Sequence, residues 1–183
     1  MANVITGNPG VGKHSITKKI AKKLEIEIID INKIVIETGL FEKKAESLDV
    51  NINELKKIMA KRIPRNSIIV GHLAPYIIPK KQVETAIVLR KNPYELTLIY
   101  KKRKYSNQKQ LDNLGSEILG IVSYDTIRKF GHDKTFEINV SSRSTSSTIK
   151  KIISVFNRKS RGDIIDWLSL VGERNDLNKF FSH

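Results

Sequence analysis

The chain has 183 residues, which is enough to bury one full hydrophobic core. It contains no cysteine, so disulfides, thiol catalysis and cysteine-ligated zinc are excluded. Its four histidines are scattered, with no two at the spacing of metal ligands, so a dedicated metal cage is not expected.

The charge is the most unusual bulk property. Lys and Arg number 33 against 19 Asp and Glu, so the formal net charge is +14 at pH 7. Such an excess occurs on lysine-rich solvated surfaces, and it equally suits a polyanionic partner such as RNA. No signal peptide precedes the first apolar run, and no apolar stretch approaches the length of a membrane span. We therefore expect a cytoplasmic protein with no membrane contact.

Short apolar runs alternate with amphipathic segments, which predicts a parallel sheet covered by helices on both faces. The predicted strands are residues 2–6, 26–29, 67–70, 85–89 and 135–140. Four predicted helices are residues 13–24, 32–39, 93–102 and 111–129. Two more are predicted, one capped by Asn53 and ending at about 61, and one that runs from the loop 141–147 to about 156. Residues 40–52 and 103–110 are polar and are expected to be irregular.

The C-terminal residues 157–183 differ in composition from the rest and are expected to form a basic, amphipathic extension to a domain at 1–156. They begin with the basic cluster 158–161 and continue with a short helix that Asp163 is predicted to cap and Gly172 to end. The apolar face of this helix either folds back on the domain or docks a partner. We expect its deletion to spare activity and to weaken partner binding.

The most informative motif is Gly7-Asn8-Pro9-Gly10-Val11-Gly12-Lys13-His14-Ser15, which joins the first strand to the first helix. Its glycines let backbone N–H groups converge on phosphate oxygens, while the helix N-terminus and Lys13 supply positive charge. The residue after this lysine is usually Ser or Thr, and here it is His14. The motif therefore predicts phosphate binding and leaves the metal ligands open. Ser15 and Asp30 are the candidates for holding Mg²⁺ through water.

Phosphoryl transfer also needs positive charge around the group that moves, and two arginines are placed to supply it. Arg90 ends the predicted fourth strand, at the edge where parallel sheets bind ligands. Arg103 lies where the helix from Pro93 breaks into a basic segment, from which its guanidinium could close over phosphates.

Three further stretches follow the loop in a particular order: Val70-Gly71-His72 with Pro79 beyond it, Val88-Leu89-Arg90, and Arg103-Lys104-Tyr105 with Asp112-Asn113 and Glu117 beyond it. Over about residues 1–156 the chain resembles the divergent adenylate kinases grouped as isoenzyme 6, found in archaea and eukaryotic nuclei and linked to small ribosomal subunit maturation. The resemblance implies an α/β fold with a P-loop NTPase-type five-stranded parallel sheet flanked by helices. It also implies a small flap over the acceptor nucleotide at about 31–62 and a short lid at about 103–113.

The resemblance implies transfer of a phosphoryl group from ATP, with Mg²⁺, to AMP, together with ATPase activity and a role beside a small-subunit ribosomal protein and rRNA. An ATP-hydrolysing assembly factor with weak kinase activity is the alternative. A small-metabolite kinase rests on the fold alone, and a plain RNA-binding module is disfavoured because no aromatic stacking motif accompanies the basic residues.

Roles for individual residues also follow from the resemblance. The implied nucleotide contacts are Gly7, Asn8, Gly10, Val11, Gly12, Lys13, His14, Ser15, Arg103 and, beside the donor adenine, Arg143. The implied catalytic residues are Lys13, Arg103 in the lid, Arg90 as a clamp on the acceptor side, and His72 next to the active site.

Two positions depart from the pattern of this family. An acidic residue usually precedes the histidine by two positions, and here that position is Val70. The Ser or Thr after the loop lysine is replaced by His14. Both changes remove oxygen ligands from the side where Mg²⁺ is held, which predicts intact phosphate binding and a slow kinase.

Overall fold

The computed structural model describes residues 1–43, 48–141 and 143–181. Part of the predicted flap (44–47), Ser142 of the loop expected beside adenine, and 182–183 lie outside these residues. The strands are β1 (Ala2–Gly7), β2 (Glu27–Asp30), β3 (Phe41–Lys43), β4 (Leu48–Val50), β5 (Ser67–Val70), β6 (Val83–Arg90) and β7 (Thr135–Asn139). The helices are α1 (Lys13–Leu24), α2 (Ile31–Thr38), α3 (Ile52–Arg62), α4 (Ala74–Ile77), α5 (Pro93–Lys102), α6 (Asn107–Ile118), α7 (Ile121–Phe130), α8 (Thr145–Phe156), α9 (Trp167–Glu173) and α10 (Leu177–Phe181).

Five strands form one parallel sheet in the order β2-β5-β1-β6-β7, so the predicted five-stranded parallel sheet is confirmed. Side chains alternate between the two faces of each strand, and the two faces build separate apolar cores. On β1, Val4 packs into the core covered by α2, α3, α4 and α7, whereas Ile5 packs into the core covered by α1, α5, α6, α8, α9 and α10. None of the helices among the described residues is both long and apolar enough to cross a membrane.

The structure corrects the prediction that residues 40–52 are irregular. Here β3 and β4 pair as an antiparallel hairpin, with Phe41 opposite Val50. The following helix is capped by Asn51 and not by Asn53, because the Asn51 side chain accepts a hydrogen bond from the backbone N–H of Glu54 at 3.2 Å.

The prediction of a single helix at 111–129 is wrong. The chain forms α6 and α7, separated at Leu119 and Gly120, where Gly120 takes a left-handed conformation with φ of 66°. Because α6 starts at Asn107, the residues of the predicted lid, 103–113, form a short connection over 103–106 and then the first turns of a helix.

The C-terminal segment folds back on the domain. Trp167, Val171 and Phe180 are buried in the same core as the sheet. The cap of α9 is Asp166, whose side chain accepts from the backbone N–H of Ser169 at 2.9 Å, so the prediction for Asp163 is wrong. Deleting 157–183 would uncover this core, so the prediction that the deletion spares activity requires the remaining domain to stay folded without these side chains.

Candidate active site

The phosphate loop predicted at 7–15 lies at the carboxyl edge of the sheet, between the central strand β1 and helix α1. Gly10 and Gly12 have φ of 89° and 90°, a left-handed conformation that only glycine adopts at low cost. A Cβ on Gly7 would lie 2.5 Å from the backbone oxygen of Leu89, so the loop passes too close to β6 for any side chain. The backbone geometry of the loop therefore requires glycine at these three positions, independently of any ligand.

Side chains of α5 and α6 hold this loop from behind. The Tyr100 hydroxyl donates to the backbone oxygen of Pro9 at 2.7 Å. The Asn8 amide donates to Glu117 Oε2 at 2.8 Å, and its oxygen accepts from the Ser116 hydroxyl at 3.0 Å. The Asn8 side chain is thus used internally, which leaves only its backbone for the nucleotide contact predicted from the sequence.

Lys13 begins α1 and is buried, with its Nζ donating to the backbone oxygen of Asn8 at 3.2 Å. Burial, and to a smaller extent the positive charge of Arg103, lower the pKa of Lys13 to about 8, while Asp30 and Glu117 oppose this shift. Arg103 is therefore close enough to Lys13 for its charge to affect this pKa. At pH 7 the amine remains mostly protonated, as a phosphate ligand requires.

Arg103 ends α5 and is exposed, and its Nη1 donates to the Tyr105 hydroxyl at 3.4 Å. The Tyr105 ring stacks on Tyr100 with centroids 5.5 Å apart. Since Tyr100 also holds the phosphate loop, the short connection that carries Arg103 is tied to the loop through two aromatic rings.

His14 and Asp30, both predicted near the phosphates, contact each other, with His14 Nδ1 3.1 Å from Asp30 Oδ2. Asp30 ends β2 and caps α2 by accepting from the backbone N–H of Asn32 at 3.0 Å. Ser15 is exposed in the first turn of α1. The described part of the chain has no group of three or more His, Asp or Glu residues that could hold a metal. Both carboxylate oxygens of Asp30 have partners within the protein, so an Mg²⁺ ion brought by phosphates would reach this carboxylate through water.

His72 follows β5 directly, at a point where the chain passes close to α2. A Cβ on the preceding Gly71 would lie 2.8 Å from the Cβ of Ile31, so glycine is required there. Although His72 is exposed, desolvation of its ring by the surrounding protein, and to a smaller extent the positive charges of Lys13 and His14, lower its pKa to about 4. The imidazole is therefore neutral at pH 7 and lies close enough to Lys13 and His14 of the phosphate loop for their charges to affect it.

Arg90 lies at the end of β6, as predicted, but its guanidinium is turned into the protein and is 4% exposed. Its Nε donates to Glu117 Oε1 at 2.8 Å, and its Nη1 pairs with Glu137 and donates to the Ser123 hydroxyl at 3.2 Å. The fully buried carboxylate of Glu117 and the partly buried carboxylate of Glu137 therefore hold this arginine in place. This arrangement does not support the predicted clamp on the acceptor side.

Arg143 lies beside the phosphate loop, on the wall of a recess that also includes Gly12, Ile99, Val140 and Thr148. Its guanidinium donates to Asp163 Oδ1 from Nη2 at 2.9 Å, and to the backbone oxygen of Asn139 at 3.0 Å. The apolar part of this recess comes from Ile99 of α5 and from Val140, which directly follows β7. Asp163, expected to cap a helix, instead orients this arginine.

The comparisons with known proteins agree with this geometry. A protein named "Putative adenylate kinase" from Pyrococcus furiosus is 28% identical over 176 residues, which cover 94% of each chain. One of the same name from Saccharolobus solfataricus is 29% identical over 171 residues, which cover 92% of this chain and 88% of the relative. No protein-family model matches the sequence.

Among solved structures, a shikimate kinase from Bacteroides thetaiotaomicron superposes with a TM-score of 0.55 at 18% identity, over 86% of this chain and 98% of the other. A gluconokinase from Sinorhizobium meliloti superposes with a TM-score of 0.53 at 13% identity, over 86% and 91% of the two chains. The fold is that of a P-loop kinase. Within this P-loop kinase fold, the predicted residues Lys13, His14, Arg103 and His72 gather at the phosphate loop.

Three residues that support the phosphate loop are not identified from the sequence. Tyr100 is not singled out there, Trp167 is treated only as part of an apolar helix face, and Glu117 is given as a motif residue without a role. Glu117 is fully buried between Leu114 and Ile118, both buried on α6. An acidic residue inside the apolar stripe of a helix is the signal that could have revealed it, since buried carboxylates need partners.

The depressed pKa of His72 predicts a specific titration. The imidazole should stay neutral down to about pH 4 in the nucleotide-free protein. Because the unfolded chain then binds more protons between about pH 6.5 and pH 4, the contribution of His72 to stability falls as the pH decreases through this window. NMR titration of the ring Cε1–H, assigned by its loss in His72→Gln, measures the value. An inflection near pH 6.5 would contradict the observed surroundings.

Proposed function

We propose that this P-loop kinase transfers the terminal phosphoryl group of ATP to AMP and so forms two molecules of ADP. The observation that carries the proposal is the phosphate loop, with the Lys13 amine at its centre and Arg103 and His72 beside it. Similarity to adenylate kinase-named proteins over 94% of the chain, together with the fold, supports nucleotide phosphoryl transfer. AMP as the acceptor rests on those names alone.

Each part of the site then has a proposed role. Backbone N–H groups of the loop and Lys13 bind the donor phosphates, and Arg103 closes over them from the end of α5. Mg²⁺ would arrive on the phosphates of ATP, with Ser15 and Asp30 as the nearby oxygen donors, and would neutralise charge on the transferred group. Arg143 lies beside the adenine of ATP.

The acceptor is proposed to bind on the side of β5 and β2. Helix α2, the β3–β4 hairpin and α3 form the flap there, and the neutral imidazole of His72 can hydrogen-bond a phosphate oxygen of the acceptor. The connection 103–106 is the lid on the opposite side. Phosphates bound between the flap and this lid would be shielded from water, which favours transfer to AMP over hydrolysis.

A second candidate is an ATP-hydrolysing factor in small ribosomal subunit maturation, as in the isoenzyme-6 group. The net charge of +14 favours it, since the nucleotide site itself needs only a few cations. Four lysines of α1 are exposed, as are Arg158, Lys159 and Arg161, and such surfaces suit contact with rRNA or a ribosomal complex. On this view, ATP hydrolysis would switch the contact and kinase activity would be weak.

Product analysis separates the two candidates. The full chain is incubated with ATP and Mg²⁺, with and without AMP, and nucleotides and free phosphate are quantified by chromatography. We expect two ADP for each ATP consumed, only when AMP is present, and little product with CMP, UMP or GMP. Omission of Mg²⁺ is the control. ADP and free phosphate at the same rate with or without AMP would contradict the kinase and support the assembly factor.

A further inference from the structure

We propose that Glu117 and Trp167 are positioning residues of the phosphate loop. The carboxylate of Glu117 fixes the side chain of Asn8, and the indole of Trp167 fixes that carboxylate. The C-terminal segment therefore holds the loop in the shape that ATP binds. This inference rests on the proposed function insofar as it takes the loop to be the ATP site.

The first support is the set of hydrogen bonds to Glu117, which is fully buried. Its Oε2 accepts from Asn8 Nδ2 at 2.8 Å. Its Oε1 accepts from Arg90 Nε at 2.8 Å, from the backbone N–H of Lys91 at 2.9 Å and from Trp167 Nε1 at 3.1 Å. Bonds to both oxygens of a buried carboxylate fix its orientation, and the low dielectric strengthens them.

The second support is the way Asn8 connects this carboxylate to the ligand side of the loop. Both polar atoms of its side chain are held by α6, through Glu117 and Ser116. Its backbone oxygen accepts from Lys13 Nζ at 3.2 Å. Asn8 therefore anchors the loop to α6, beside the anchor that Tyr100 provides at Pro9, and the resting position of the Lys13 amine follows from the orientation of the Asn8 peptide.

The third support is the position of Trp167, the only tryptophan of the chain, in the C-terminal segment. It begins α9 and is 8% exposed. Its ring packs in the same core as Val171 and Phe180, so the C-terminal segment delivers the indole N–H to Glu117 by apolar packing. Two hydrogen bonds in series then join this segment to the loop, from Trp167 to Glu117 and from Glu117 to Asn8.

The matched variants Trp167→Phe and Phe180→Leu test this inference. The first removes the indole N–H and keeps an aromatic ring in the core, whereas the second loosens the packing of the same segment and keeps the N–H. ATP binding to the full chain is measured by calorimetry, and stability by urea unfolding. We expect Trp167→Phe to raise the Kd for ATP roughly 3- to 10-fold, the scale of one hydrogen bond. Phe180→Leu should lower stability and leave the Kd unchanged.

Trp167 emission gives a second readout that needs no variant. When ATP binds, Lys13 turns to the phosphates and negative charge enters the surroundings of Glu117, so the indole bonded to Glu117 should change its emission. The change should disappear in Glu117→Gln. Unchanged emission at saturating ATP would overturn the inference.

The calorimetric outcomes separate this inference from the proposed function. An equal Kd for wild type and Trp167→Phe would overturn the inference alone, as would a rise in Kd that is the same in both variants. ATP binding that follows the expected pattern without AMP phosphorylation would support the inference and contradict the kinase. A wild-type chain that binds no ATP would overturn both.

Discussion

Lys13→Ala is expected to lower the rate of phosphoryl transfer at least about 100- to 1,000-fold, the usual effect of removing one charge-stabilising donor from an active site. The amine is buried at the start of α1 and donates to the backbone oxygen of Asn8, and it forms no ion pair with a carboxylate of the described residues. It is therefore free to exchange this weak contact for a phosphate oxygen. The measurement is the initial rate of ADP formation from ATP and AMP with Mg²⁺.

Lys18→Ala is the matched control, because Lys18 lies on the exposed face of the same helix. Its rate should equal that of the wild type. Both variants should show the same far-ultraviolet circular dichroism. Full activity in Lys13→Ala would contradict the assignment of the phosphate loop as the reaction site.

Arg90→Ala is expected to lower the free energy of unfolding by about 3–5 kcal/mol, the usual effect of removing one partner from a buried ion pair. Glu117 is fully buried, and in this variant it would lose its bond to the Arg90 Nε while its negative charge stays in the interior. Glu137 would lose its bond to the same guanidinium. Urea unfolding, followed by circular dichroism, gives the change in midpoint.

The exposed Arg65, in the turn before β5, provides the control substitution Arg65→Ala, whose midpoint should match that of the wild type. The Michaelis constant for AMP distinguishes the structural role from the clamp predicted on the sequence. Arg90→Ala could instead keep the wild-type stability and raise only the Michaelis constant for AMP. That result would support the predicted clamp on the acceptor side and would contradict the stabilising role of the ion pairs of Arg90.

The features that were predictable from the sequence are those specified by neighbouring residues. The phosphate loop and α1 follow from glycine spacing and from the apolar stripe of Ile16 and Ile20. The central strands are continuous apolar runs, and both core faces of β1 are buried. By contrast, β3 and β4 have three residues each, too few to show an alternating pattern.

The errors arose where distant residues decide the outcome. Both Asp163 and Asp166 fit an N-cap, and the pairing of Asp163 with Arg143, 20 positions away, leaves the cap to Asp166. Arg90 fits a ligand site by its position at a strand end. Its actual partner Glu117 lies 27 positions along the chain, and no local pattern indicates that the two will meet.

The hydrogen bond between Trp167 and Glu117 also has a consequence for the order of events during synthesis. Domains fold as the chain emerges, N-terminal parts first. The phosphate loop is made among the first residues, yet the indole that completes the bonds of Glu117 is not translated until residue 167. A nascent chain that ends before this point can form the sheet but lacks that donor. Full affinity for ATP should therefore be acquired only after residue 167 has been translated, and shorter nascent chains should bind the nucleotide more weakly.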